Sequence, residues 1–526
     1  MEKIIIIGAG PAGITAAYEL LKKKEYEIII LEKEDSIGGI SKTISVNENY
    51  RVDTGIHRFY SKSDKINEIW NELLPLQSKP AYDDIKIGRE IEEIENGSDP
   101  ENEDKSMLIK DRCTRIYYKR KFYDYPISLK FENIKKLGFF TIIKAGFSYI
   151  KAKIFKKNED SLENFYINRF GKVLYSIFFE SYTEKVWGIH PSKISADWGV
   201  QRVKGVSITA VIVDAFKRLF KIKSKKQETS LINRFVYPKL GAGQIWDEMA
   251  KVIEAKGGKI ITNAETVGII ADGNKIKAVE YLRNGETRTE EADIVISSMP
   301  IKELIASIKN TEVPENVYNI ATNLPYRDFM SVCMVVDKIN LKNETQTKTL
   351  GDYVPDHWTY IQYPNVKLGR IQIFNNWSPY LFKNKEDIEN KVLIAFEYFC
   401  NENDEYWNMS DEEFIDFVKK EAILIDVMDE QKILAAKRIK IKKAYPAYWG
   451  TYKDIDKVIE YINSYDNLYC AGRNGQHRYN NIDHSMLTGV EIANNIINGI
   501  TSRDNIWNIN TEKEYHEIKL DNIGLK

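Results

Sequence analysis

The 526-residue sequence predicts an α/β protein in which a parallel, Rossmann-like dinucleotide domain is joined to a helical domain and a mixed β domain. Three observations carry this. An apolar run, Ile4 to Ile7, enters the turn Gly8-Ala9-Gly10-Pro11-Ala12-Gly13 and an apolar-periodic segment up to Leu21. A second apolar run, Ile28 to Leu31, ends at Glu32. The chain then returns twice more to βαβ character, near Gly241 to Ile270 and near Leu468 to Ile497.

The first stretch reads as strand, glycine turn, helix, strand and acid. Such a turn lets backbone approach a pyrophosphate, which faces the free N–H groups of the helix N-terminus. Glu32 lies nineteen positions after Gly13, where a carboxylate can accept from ribose hydroxyls. Gly38-Gly39 follow within one short loop. The candidate dinucleotide contacts are Gly8, Gly10, Ala12, Gly13, Glu32, Lys33 and Gly39.

Repeated returns to one sheet imply a cofactor domain built from separated segments. We place them at 1–80, 236–309 and 451–500, with a helical cleft domain at 107–235, a mixed β substrate domain at 310–450 and a tail at 501–526. Residues 83–106 are acidic and read as a solvated surface insertion. A length above 500 residues exceeds one hydrophobic core.

Composition narrows the partners. Seventy-six Lys+Arg against 77 Asp+Glu leave a net charge of −1, with no footprint for nucleic acid. Four scattered cysteines suit reduced thiols in a cytoplasmic protein. The six histidines show no metal spacing, so no metal is expected. The N-terminal apolar run is too short for a signal peptide, and no run reaches the roughly 18 residues of a membrane span. Two segments, Lys135 to Lys157 and Phe216 to Lys226, mix lysines with large apolar residues. Each suits either a helix packed by one face or one lying on the inner face of an anionic membrane.

Further motifs carry a resemblance. The N-terminal turn, Glu32, Gly38-Gly39, the strand after Val267 and Gly472-Arg473 look like the glutathione-reductase-type FAD fold, in its amine-oxidase and protoporphyrinogen-oxidase group. Asp53 to Phe59, Ser181-Tyr182-Thr183-Glu184-Lys185-Val186-Trp187-Gly188 and Gly472 to Tyr479 are similar to segments of the UDP-galactopyranose mutase family. The chain departs from that family at Val206, where an arginine is expected, at Asn481 for an aspartate, and at Tyr60 for a histidine.

The resemblance implies bound FAD, contacted also by His57, Val267, Gly472 and Arg473, and active when reduced if the reaction is a mutase rearrangement. The substrate would be a sugar linked through phosphate to a nucleotide or a lipid. Arg370 is the foremost phosphate ligand, because a guanidinium holds phosphate oxygens bidentately. Arg202 and Arg327 are further candidates, each equally suited to an ion pair. Tyr182, Trp187 and Tyr479 would wall the sugar, although aromatics also fill cores. His57, Arg370 and Tyr479 are the candidate catalytic residues. His477 and His484 suit either the flavin edge or a structural role. Oxidase or dehydrogenase turnover of the amine-oxidase type is the alternative, and a non-catalytic flavoprotein a third reading. Oligomeric state is not legible.

Overall fold

The computed structural model describes residues 1–125, 136–196 and 234–510. Its organising element is a five-stranded parallel sheet. Strand Lys3–Ile7 lies between Glu27–Leu31 and Ile294–Ser297, and Lys259–Ile261 and Leu468–Cys470 take the outer places. The isoleucines of the central strand are buried on both faces, as a parallel sheet requires. Helix Pro11–Lys23 starts with proline in its first turn and packs one face on the late helix Ile482–Asn498 and the other on Gln244–Ala255. The sheet therefore draws on three sequence segments, as the glycine turns predict.

Asp53 ties the first segment to the second. It accepts from Thr43 Oγ1 (2.6 Å), Tyr237 Oη (2.6 Å) and the Ala242 amide (3.0 Å). Burial pushes its carboxyl up to about 6, against the pull of those donors. The folded state thus holds a proton that the unfolded chain releases, and stability falls as pH rises from about 4 to about 6. Asp53→Asn keeps an acceptor oxygen for Thr43 and Ala242, places an amide that donates to Tyr237 Oη, and removes this slope. Relative to the wild type it gains about 3 kcal/mol across that window, read as diverging melting temperatures between the two proteins.

A seven-stranded mixed sheet forms the second layer, with Arg370–Ile373 at its centre and the long strands Val392–Cys400 and Tyr326–Val336 successively to one side. Its far edge departs from the sequence reading. Strands Thr114–Tyr118 and Lys121–Asp124 belong to it, so residues 107–124 are not part of a helical unit. Met107–Asp111 pairs instead with Arg234–Pro238. These runs are four or five residues long, too short for their alternation to stand out against the aromatic-rich helices that follow. Those helices are Phe139–Ile154, Leu162–Tyr175 and Ser181–Trp187, the last entered through a π-helical turn at Ser176–Glu180.

The acidic stretch from residue 83 is more than a solvated insertion. Asp83 and Asp84 are buried, Asp83 bonding Lys110 Nζ at 2.6 Å and Asp84 pairing with Arg89. Lys110 lies 27 residues beyond Asp83 and outside the stretch, so that pairing is invisible in local composition, whereas Arg89 follows Asp84 within the stretch itself. All four cysteines are free thiols. Among the described residues no helix is long and apolar enough to cross a membrane.

Candidate functional site

At the carboxyl end of the central strand, Gly8 adopts φ +94°, and a Cβ there would lie 2.3 Å from Ser298 Oγ. A Cβ on Gly13 would lie 2.1 Å from the Gly8 carbonyl, so only glycine lets the helix pack this close to the strand. Gly10 differs: it has an ordinary φ of −78°, and its nearest neighbour in the protein would be Gly39 Cα at 3.8 Å. The space above Gly10 is therefore open, at a helix N-terminus whose amides face it. Glu32 closes the opposite side. Its carboxylate accepts from the Ala9 amide (2.7 Å) and the Glu34 amide (2.9 Å), and burial raises its pKa against those two bonds. Open backbone, helix N-terminus and buried acid together fit an adenosine diphosphate moiety.

The other predicted contacts spread around this turn. Lys33 is exposed and pairs with Glu265 at 3.4 Å, and Val267 lies at the bulge of the adjoining hairpin. Ala12 is turned toward the late segment, where a Cβ on Gly472 would approach its methyl to 2.8 Å. The Gly472 amide donates to Thr488 Oγ1.

A second cluster stands where the mixed sheet meets the cofactor domain. Tyr360, Arg370 and Glu397 are cross-strand neighbours in one row. Arg370 Nε donates to Glu397 Oε2 (2.5 Å), Nη2 donates to Tyr445 Oη (3.1 Å), and the guanidinium lies 5.0 Å from the Phe399 ring centre. Gln372 donates to the other Glu397 oxygen at 2.6 Å. Burial opposes the Arg370 charge, yet Glu397 and the neighbouring phenols hold its pKa well above the usual value.

Aromatic rings line this arginine. Tyr125, Tyr360 and Tyr182 meet in sequence at 4.5 and 5.3 Å between ring centres. Tyr445 stacks on Tyr479 at 5.6 Å, with Arg473 4.9 Å from the Tyr479 ring. Arg473 is anchored by carbonyls, donating to Asn480 O and Ala444 O, and has no carboxylate partner among the described residues. His57 lies within reach of both cations. Burial, then Arg473 and Arg370, push its pKa down to about 3, so it is neutral, and its Nε2 is buried without a hydrogen-bond partner. Burial also raises the phenols of Tyr182 and Tyr445, so both carry their protons.

Among the predicted residues, the structure brings His57, Tyr182, Arg370, Arg473 and Tyr479 into this cluster. Trp187 lies beside it in the helical core, edge-on to Trp449 at 5.6 Å. Arg327 is buried and donates to the carbonyls of Val186 and Lys185, capping the helix that carries Tyr182. Arg202 lies outside the described residues. His477 is buried, edge-on to Tyr326 and bonded to Ala447 O, and His484 accepts from the Asn481 amide in a capping box. Glu163, Glu180 and His190 place ligand atoms within 4.8 Å of one another on the partly exposed helical face.

Sequence reasoning missed Glu397, Tyr445, Tyr360 and Phe399. One signal was available for the first: Glu397 is the only charged residue in the otherwise apolar run Val392–Cys400. An acid in a buried strand demands a cationic partner.

The chain has the fold of the FAD-dependent amine-oxidase-like superfamily, and residues 6–73 match the signature of an NAD(P)-binding Rossmann-like domain. The solved structure of reduced UDP-galactopyranose mutase superposes on 97% of this chain and 96% of its own with a TM-score of 0.73, at 19% identity. A candidate protoporphyrinogen oxidase from Exiguobacterium sp. covers 94% and 98% with a TM-score of 0.62, at 12% identity. A 4,4'-diapophytoene desaturase (4,4'-diapolycopene-forming) of Methylomonas sp is 25% identical over 321 residues, 56% of this chain. The chain spans about half the length of this curated relative, 53%.

Proposed function

We propose that the chain is an FAD enzyme that rearranges a sugar linked through phosphate to a nucleotide or lipid, in the manner of UDP-galactopyranose mutase. The observation that carries this is the pairing of Arg370 and Arg473 around neutral His57, beneath a wall of tyrosines. Arg370 is neutralised by Glu397, whereas Arg473 has carbonyls and tyrosine rings but no carboxylate beside it among the described residues, so the cleft retains positive charge suited to an anion. FAD, when bound, supplies the reactive centre, which accords with the lack of a nucleophile–base pair among the described residues of the cluster. The protein's part is then positional. Arg473 and Arg370 hold the phosphate, Tyr182 and Tyr479 flank the sugar, and His57 Nε2 offers a polar contact toward the cofactor without carrying charge.

Oxidase or dehydrogenase turnover is the second reading, favoured by the desaturase relative. The test is to incubate dithionite-reduced, FAD-loaded protein with UDP-galactopyranose and with a polyprenyl-phosphate sugar. Ring-isomerised product with no net change in flavin absorbance is expected. No isomer from either sugar, together with bleaching of the flavin when the oxidised, FAD-loaded protein meets the same compounds, would instead establish the redox reading.

A further inference from the structure

Helix Phe139–Ile154 presents its apolar side outward. Phe139, Phe140 and Phe147 are 73%, 79% and 72% exposed, and Ile143, Ile150 and Ile154 are exposed with them. At about 100° of rotation per residue, these six side chains occupy one continuous stripe about 100° wide. Its buried residues, Ala145 and Ala152, lie on the opposite side.

The helix cannot roll to hide that stripe. A Cβ on Gly171 of the neighbouring helix Leu162–Tyr175 would come within 2.8 Å of the Tyr149 amide nitrogen, and Val173 N donates to Ser148 Oγ at 3.2 Å. The inner face is thus fixed by backbone-to-backbone contact, and small residues are required there.

Charge says what covers the outer face. Lys144 and Lys151 fall on one flank of the stripe and Lys153 on the other, and all three are exposed. From Lys135 to Lys157 the sequence holds seven lysines and no acid. A protein partner's hydrophobic patch would not call for cations along both borders. An apolar stripe bordered by lysines matches a leaflet, with acyl chains below and anionic headgroups alongside. We propose that this helix docks the protein, as a peripheral passenger, on an anionic lipid surface.

The experiment is vesicle flotation of the full-length, FAD-loaded protein with phosphatidylcholine alone and with phosphatidylcholine mixed with phosphatidylglycerol. Wild type should float with the mixed vesicles at least about tenfold more than with the neutral ones, and the gain should fall as salt is raised. Phe140→Ser/Phe147→Ser should lose binding to both, and Lys144→Glu/Lys151→Glu only the preference for anionic lipid. Because all four side chains are exposed, retained FAD absorbance and an unchanged melting temperature verify folding. Equal flotation of wild type and the phenylalanine variant would overturn the proposal. So would a wild-type dimer, seen by light scattering, that the same variant converts to monomer without vesicles present, because the face would then belong to a second copy of the chain.

Discussion

Gly10→Ala is expected to leave the protein folded and to strip it of FAD. The new methyl meets nothing closer than Gly39 Cα at 3.8 Å, and the backbone angle is one that alanine readily adopts. The apoprotein should lose at most about 0.5 kcal/mol. The methyl would, however, stand where the pyrophosphate must approach the helix N-terminus. Bound flavin per chain, measured by absorbance after desalting, should fall at least about tenfold. Gly13→Ala provides the contrast. Its Cβ would sit 2.1 Å from the Gly8 carbonyl, so it should fail to fold rather than merely fail to bind. Full flavin occupancy in Gly10→Ala would show that the turn does not hold the cofactor.

The second large effect concerns Glu397. Glu397→Ala leaves the Arg370 guanidinium buried without its carboxylate, and Gln372 loses its acceptor. Removing one member of a buried ion pair costs about 3–5 kcal/mol, because the stranded charge remains. Urea denaturation should register that loss, whereas Arg370→Met/Glu397→Leu should recover most of it by removing both charges. The double variant is then the useful probe of ligand binding, since Arg370→Ala alone would strand Glu397 and confuse a folding defect with a binding one. If Glu397→Ala melts like wild type, Arg370 is not held by this carboxylate.

What could be read from the sequence was local. The glycine turn, the acid after the second strand and the returns near residues 241 and 468 all lie within short windows, and each set of residues came together in space. Tyr182 was singled out because it sits within the 181–188 motif, and Arg370 because the family resemblance expects a phosphate-binding arginine. Glu397 and Tyr445 were not, because their meaning comes from strand register: Glu397 matters only because it lies opposite Arg370 on the adjacent strand. Strands 114–118 and 121–124 escaped for a related reason, since they complete a sheet whose other members begin some two hundred residues later. Arg327 shows the converse. An arginine with an attractive position in sequence is engaged by helix carbonyls that only the fold places beside it.

The three-segment cofactor sheet also sets a timetable for synthesis. Strand Lys3–Ile7 leaves the ribosome first, but one neighbour is Ile294–Ser297 and the sheet's edge is Leu468–Cys470. Arg473 and Tyr479 follow only after that edge strand. The nascent chain must therefore carry an unfinished parallel sheet, with exposed isoleucines, through most of its translation. The two ends of the polypeptide therefore come together only as a late event. Chains released before about residue 470 would be expected in the aggregated fraction.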